Sequence, residues 1–140
     1  MPKVEYTNEK GLVQKAGSGG ININSGRLRQ VLTVTDVNAR HNTLTAAQAN
    51  AGIVLHTSVT GGGTLTADTA ANYIANCGLD SDGQCLEVFY VNDGSQTVTV
   101  NGAATGITFV DAGNTILTNE AAVILIQRVT STTCKIFVVQ

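Results

Sequence analysis

Charge is scarce in this chain. Asp, Glu, Lys and Arg together make up 13% of it, against about 25% in typical soluble domains. Thr, Asn, Ser, Gln and 15 glycines stand in their place. Disorder goes with low hydrophobicity and high net charge, and 43% hydrophobic residues with a net charge of −2 fit neither. Tryptophan is absent, and three Phe and three Tyr are the whole aromatic complement, which leaves little to line a sugar cleft. Three cysteines (Cys77, Cys85, Cys134) cannot all pair within one chain. They show no C-x-x-C zinc spacing, so buried free thiols are expected over a Cys77–Cys85 bridge. No apolar run approaches the roughly 18–20 residues of a membrane span. The opening MPKVEYTNEK has no apolar core of a signal peptide, so synthesis in a cytoplasm is expected.

Reactive groups are equally sparse. His56 lies in a strand-like run and reads as a half-buried structural residue; His41 sits in a polar loop and reads as solvated. No Ser/His/Asp spacing points to a triad. Gly17-Ser18-Gly19 lacks the spacing of a nucleophile elbow. Gly61–Gly63 is not followed by the Gly-Lys-Ser/Thr of a phosphate cradle. Asp80-Ser81-Asp82-Gly83 opens like a calcium loop, but its glycine comes too early and no carboxylate follows at the twelfth position. Glu87, Asp93, Asp111 and Glu120 are scattered over predicted strand edges and turns. The expectation is a non-enzyme with no catalytic residue, no cofactor and no metal.

What is there is strand. Residues 1–26 read as an extended arm with a Gly17-Ser18-Gly19-Gly20 linker; a body, 27–140, follows. Its predicted strands begin with RQVLTVTD, continue with GIVLHTSV, and then run Cys85–Asn92, Gln96–Asn101, Gly106–Val110, Thr115–Thr118, Ala121–Thr130 and Thr133–Val139. Asp93-Gly94 and Asn101-Gly102 supply hairpin-turn chemistry. Thr45 and Gln48 have capping-box spacing before a single helical turn that Gly52 ends. The one convincing helix is ADTAANYIANCG, capped by Asp68 or Thr66 and stopped by Gly78. No internal repeat stands out. One helix among many short strands predicts an all-β fold: an antiparallel jelly-roll-like β-sandwich or small barrel with an extended N-terminal arm.

Charge is unevenly placed. Residues 1–40 hold six of the eight basic side chains (Lys3, Lys10, Lys15, Arg27, Arg29, Arg40) against Glu5, Glu9 and Asp36, a net of +3; the rest nets −5. A basic leader on an acidic body suits an acidic protein surface or a neighbouring copy better than nucleic acid, since only Tyr6 could stack on bases. AAVILIQRV and CKIFVVQ are apolar on both faces, which fits either packing around a threefold axis or a fully buried central strand.

From Leu44 onward, LTAAQANAGIVLHTS, a Gly/Thr-rich turn, DTAANYIA, LEVFYVND, TVTVNGAATGITFV and the closing TTCKIFVVQ follow in an order that resembles tailed-phage head decoration (cement) proteins and related viral jelly-roll appendages. The resemblance covers about two thirds of the chain and not the leader. It implies a homotrimer on the capsid exterior that binds the major capsid protein and stabilises contacts between coat subunits, with no membrane or nucleic-acid partner. On that reading Lys3, Lys10, Lys15, Arg27 and Arg29 meet acidic coat surface, while Val4, Tyr6, Ile21 and Ile23 anchor the arm. A receptor- or glycan-binding fibre knob and a single jelly-roll penton or minor capsid protein are the alternatives.

Overall fold

Alternation of buried and half-buried side chains builds the body strand by strand. In Gly52–His56 and Gly63–Ala67 every second residue is buried, which places one face of each strand on a core. The computed structural model describes residues 32–57, 61–102, 104–110 and 113–140 in full. Of the leader it describes the backbones of β1 (Lys3–Thr7), β2 (Gly11–Lys15), β3 (Asn22–Asn24) and β4 (Arg27–Arg29). The chain divides into two units, Met1–Val31 and Leu32–Gln140. Within the first, β1 pairs antiparallel with β2 and β3 with β4, so the leader's described backbone forms hairpins rather than one extended arm.

The body is all-β apart from two short helices. Its strands are β5 (Thr33–Val37), β6 (His41–Leu44), β7 (Gly52–His56), β8 (Gly63–Ala67), β9 (Cys85–Asn92), β10 (Val98–Val100), β11 (Ile107–Phe109), β12 (Thr115–Ile116), β13 (Glu120–Thr130) and β14 (Thr133–Val139). They form a six-stranded sheet, β11-β14-β13-β9-β7-β5, and a four-stranded sheet, β12-β10-β8-β6. One core joins their inner faces: Val54, Val88, Tyr90, Ile124, Ile126 and Ile136 from the first, Leu44, Leu65, Val98, Val100 and Ile116 from the second. Each such side chain contributes about 1.5–3 kcal/mol by leaving water.

The pairing departs from the antiparallel expectation. β5, β7 and β9 run parallel, as do β6, β8 and β10. The chain therefore alternates between the sheets, laying one strand on each in turn, so that strand, crossing, strand and return make a structural repeat with no obvious repeat in sequence. Only the C-terminal strands reverse this pattern: β13 pairs antiparallel with both β9 and β14, and β12 with β10. Asp93-Gly94 and Asn101-Gly102 consequently do not close hairpins. They carry the chain from one sheet to the other and onward, and of these four residues only Gly102 has positive φ. Turn chemistry reverses a chain, but which strands then pair is decided by the faces they must bury.

Both helices occupy returns from the four-stranded to the six-stranded sheet. In α1 (Ala46–Ala51) the Thr45 side chain accepts from the Gln48 amide while the Gln48 side chain accepts from Thr45 N–H, and Gly52 ends the helix at φ 85°. In α2 (Ala70–Asn76) the N-cap is Thr69 rather than Asp68 or Thr66. The single turn expected after Thr45 is thus a short helix, α1, beside the one convincing helix, α2. HNTL and GTLTA, read as loop and turn, are β6 and β8, too short and polar for their alternation to stand out.

Candidate interaction surfaces

Most polar groups of the interior are committed to holding the fold; among the described residues Asn42 Nδ2 is buried without a hydrogen-bond partner. His56 is fully buried. Its Nε2 faces the Ala39 carbonyl, which can only accept, so Nε2 carries the proton and Nδ1 accepts from the Tyr90 hydroxyl. The two rings meet edge to face at 5.8 Å. Burial pushes the Tyr90 hydroxyl up, partly offset by the Asn42 amide. Neither ring opens to a cleft from which it could act on a substrate, and His56 is more deeply buried than its sequence suggests.

A second polar cluster gathers where the helices begin. The carboxylate of Asp68 accepts from Ala46 N–H at 3.2 Å, from Thr69 N–H at 2.8 Å and from Asn72 Nδ2 at 2.6 Å, so one side chain serves the first turns of both helices. Tyr73 is fully buried beneath it, donating its hydroxyl to Leu44 O and accepting from Asp68 N–H at 3.1 Å. An open cleft of about 470 Å³ lies above, lined by Thr45, Asp68, Asn50, Asn72 and Asn76 among others. Desolvation raises the Asp68 pKa, but the hydrogen bonds from Asn72, Thr69 and Ala46 outweigh it and hold the group below its ordinary value. A carboxyl depressed in the folded state stabilises above its unfolded pKa of about 3.9 and loses that contribution as pH falls through the folded pKa. Wild-type protein should therefore lose more stability than Asp68→Asn between about pH 5 and pH 2, measured by urea unfolding at each pH; parallel losses would remove Asp68 from this role.

The Asp80–Gly83 loop is organised from within. Arg128 Nε pairs with Asp82 at 2.9 Å and its Nη1 donates to Leu79 O at 2.7 Å, while Gly83 N–H donates to Arg128 O at 2.8 Å. Among the described residues no cluster of His, Cys, Asp or Glu could hold a metal ion. Cys77, Cys85 and Cys134 are free, and Cys85 is exposed rather than buried. Burial pushes the Cys77 thiol up to about 11, with Asp68 and Cys134 adding to the rise.

The outer faces of the sheets differ in kind. On the four-stranded sheet, Thr115, Thr99, Thr64 and His41 lie in one row across the ladder. His41 Nδ1 bonds Thr64 Oγ1 at 2.8 Å and Thr43 bonds Thr66 at 3.0 Å. His41 is thus an exposed strand residue with a partner rather than part of a loop. The outer face of the six-stranded sheet is apolar instead. The registers place Val34, Ile53, Phe89, Val123 and Val139 in a single row across five strands. Leu55, Val91 and Ala121 flank it on one side, in a row that ends at Asp36, and Leu125 and Phe137 on the other, in a row that includes Glu87. Val34 is 57% exposed, Val139 52% and Phe89 42%. The doubly apolar AAVILIQRV thus buries Ala122, Ile124 and Ile126 in the core and turns Val123 and Leu125 outward.

Of the residues expected to bind a partner, Lys3, Val4 and Tyr6 fall on β1, Lys15 on β2, Ile23 on β3, and Arg27 and Arg29 on β4. Lys10 and Ile21 lie outside the described residues. The sequence did not single out Val34, Phe89 or Val139; their common row exists only through the strand registers. No model of a known family matches the chain, and no curated protein or solved structure is significantly similar to it.

Proposed function

We propose that this protein is a structural component of a virion: a decoration, or cement, protein made in the host cytoplasm and seated on the capsid exterior. It binds the major capsid protein and its own copies and stabilises contacts between coat subunits. The carrying observation is the apolar outer face of the six-stranded sheet, with Phe89 42% exposed at its centre. A contiguous apolar patch of this kind marks a surface built to meet protein. The hydroxyl-rich opposite face suits contact with water. A molecule that binds only the assembled shell shifts assembly toward it, and many weak copies add up.

At the level of two packed β-sheets the body suits a capsid appendage of the jelly-roll-like sandwich type, although its parallel coil is not the strand order of an antiparallel jelly roll. The leader, with five Lys/Arg against Glu5 and Glu9 in residues 1–31, supplies positive charge for an acidic coat surface. Full-length protein should co-sediment with shells of the coat protein encoded by the same virus and raise the temperature at which they break. Deleting residues 1–26 should abolish binding while the body's circular dichroism is kept. Failure of the full chain to bind saturating shells would refute the assignment. The Thr/His row favours a glycan-binding fibre knob as second reading, which a glycan array would reveal.

A further inference from the structure

We propose that the cleft between α1 and α2 is a binding site for a guanidinium group, the head of an arginine side chain or of a small arginine-like molecule. The site shares no residue with the apolar sheet face, and it goes beyond the capsid reading without depending on it.

The hydrogen bonds already made decide what the cleft has left to offer. Asn72 and Asn76 stand four residues apart on one face of α2, and Asn50 meets them from the end of α1. Asn50 Nδ2 donates to Asn76 O, Asn72 Nδ2 to Asp68 Oδ1 at 2.6 Å, and Asn76 Nδ2 to Asn72 O at 2.9 Å. Each amide is thereby fixed with its nitrogen on the protein. None of the three Oδ1 atoms has a hydrogen-bond partner among the described residues. Asp68 Oδ2 accepts one bond only, from Ala46 N–H at 3.2 Å. All four side chains line the same cleft of about 470 Å³. It therefore holds four oxygens with room for donors, one of them on a carboxylate that its own hydrogen bonds keep ionised.

Charge then selects the occupant. Among the described residues no Lys, Arg or His lines the cleft. A neutral ligand covering it would strip water from Asp68 and leave the charge unpaired, whereas a cation removes that cost. An ammonium carries fewer N–H donors than the cleft has open oxygens. A guanidinium carries more, in a plane that matches a carboxylate edge. A calcium ion takes about six to eight oxygens and would find a single carboxylate already accepting from Ala46, Thr69 and Asn72. The volume admits the side chain behind the head, and Ala46 and Ala47 offer methyl groups to its methylenes.

Titrating the full, isotopically labelled chain with N-acetylarginine amide at low salt should shift the side-chain amide resonances of Asn50, Asn72 and Asn76 saturably, with millimolar affinity. N-acetyllysine amide should bind at least about tenfold more weakly, and the citrulline analogue, of the same shape without the charge, should not saturate. Asn50→Lys brings its own cation to the cleft and should abolish binding with wild-type circular dichroism, since the position is exposed and near the end of α1. Asp68→Asn should weaken binding at least about tenfold; Asn76→Leu gives the same reading should the loss of that cap unfold the chain. Release of the chain from shells by the arginine compound, but not by the citrulline one, would place the guanidinium on the coat; retention would make it a free molecule. Absence of saturation, equal affinity for the three compounds, saturation by a neutral glycan or by calcium chloride instead, or shifts that survive Asn50→Lys would overturn the proposal. A chain that takes the arginine compound and ignores shells leaves the site standing and sinks the capsid reading; the opposite pair of results does the reverse.

Discussion

Asn92→Ala should lower the unfolding free energy by about 3 kcal/mol, from the 1–3 kcal/mol each that unsatisfied buried polar groups cost. Asn92 is fully buried at the end of β9. Its Nδ2 reaches Gln96 O at 2.8 Å, Ile116 O at 3.0 Å and Leu117 O at 3.1 Å, and its Oδ1 accepts from Gly94 N–H at 3.1 Å. One side chain thus fixes the crossing from the six-stranded to the four-stranded sheet and holds the start of the 117–120 turn against it. Backbone bonds from Asp93 N–H to His56 O and from Asn119 N–H to Asn92 O surround the same point. Asn92→Asp should be worse, since it directs a carboxylate at carbonyl oxygens. Urea unfolding followed by far-ultraviolet dichroism measures both, and a loss below about 1 kcal/mol for the alanine variant would mean that water replaces the amide at little cost.

Gly106→Ala should be comparably damaging, by about 3 kcal/mol or more. Gly106 has φ 75°, and a Cβ there would lie 2.5 Å from the Thr132 carbonyl oxygen and 2.9 Å from Ala70 Cβ. Positive φ alone costs an alanine roughly 1–2 kcal/mol, and the obstructing oxygen belongs to backbone that cannot rotate away. The site is a junction: Thr105 O accepts from Ala70 N–H at the start of α2, and Gly106 O accepts from Cys134 N–H on β14. Displacing it disturbs helix and hairpin together. Gly113→Ala is the control. Its φ is 94° and, among the described residues, nothing lies within 4 Å of the added carbon, so only the dihedral cost of roughly 1–2 kcal/mol should appear. Equal losses at the two positions would show that close packing at Gly106 contributes nothing.

Local patterns were legible where a residue's chemistry acts on its own neighbours. The boundaries expected for Cys85–Asn92 and Thr133–Val139 are those of β9 and β14. The Thr45–Gln48 capping box and the Gly52 stop stand as their spacing predicts. β6 escaped notice because HNTL buries Asn42 where an apolar residue was looked for, and its Oδ1 accepts from Gln48 Nε2 at 3.2 Å, a partner six residues away. The α2 cap was misplaced by one residue because Asp68 spends its carboxylate on two helices at once, which no window around one helix can show.

By itself, then, the sequence determined an all-β body, the position of the first helix and a division of charge between leader and body. All three follow from periodicity, capping and composition, which act over a few residues or over none in particular. The tertiary structure alone decided that successive strands lie in different sheets, that β5, β7 and β9 run parallel, and that Val34, Phe89 and Val139 share one row. Those relations depend on register between strands more than fifteen residues apart, and register is settled by which faces the whole chain can bury at once.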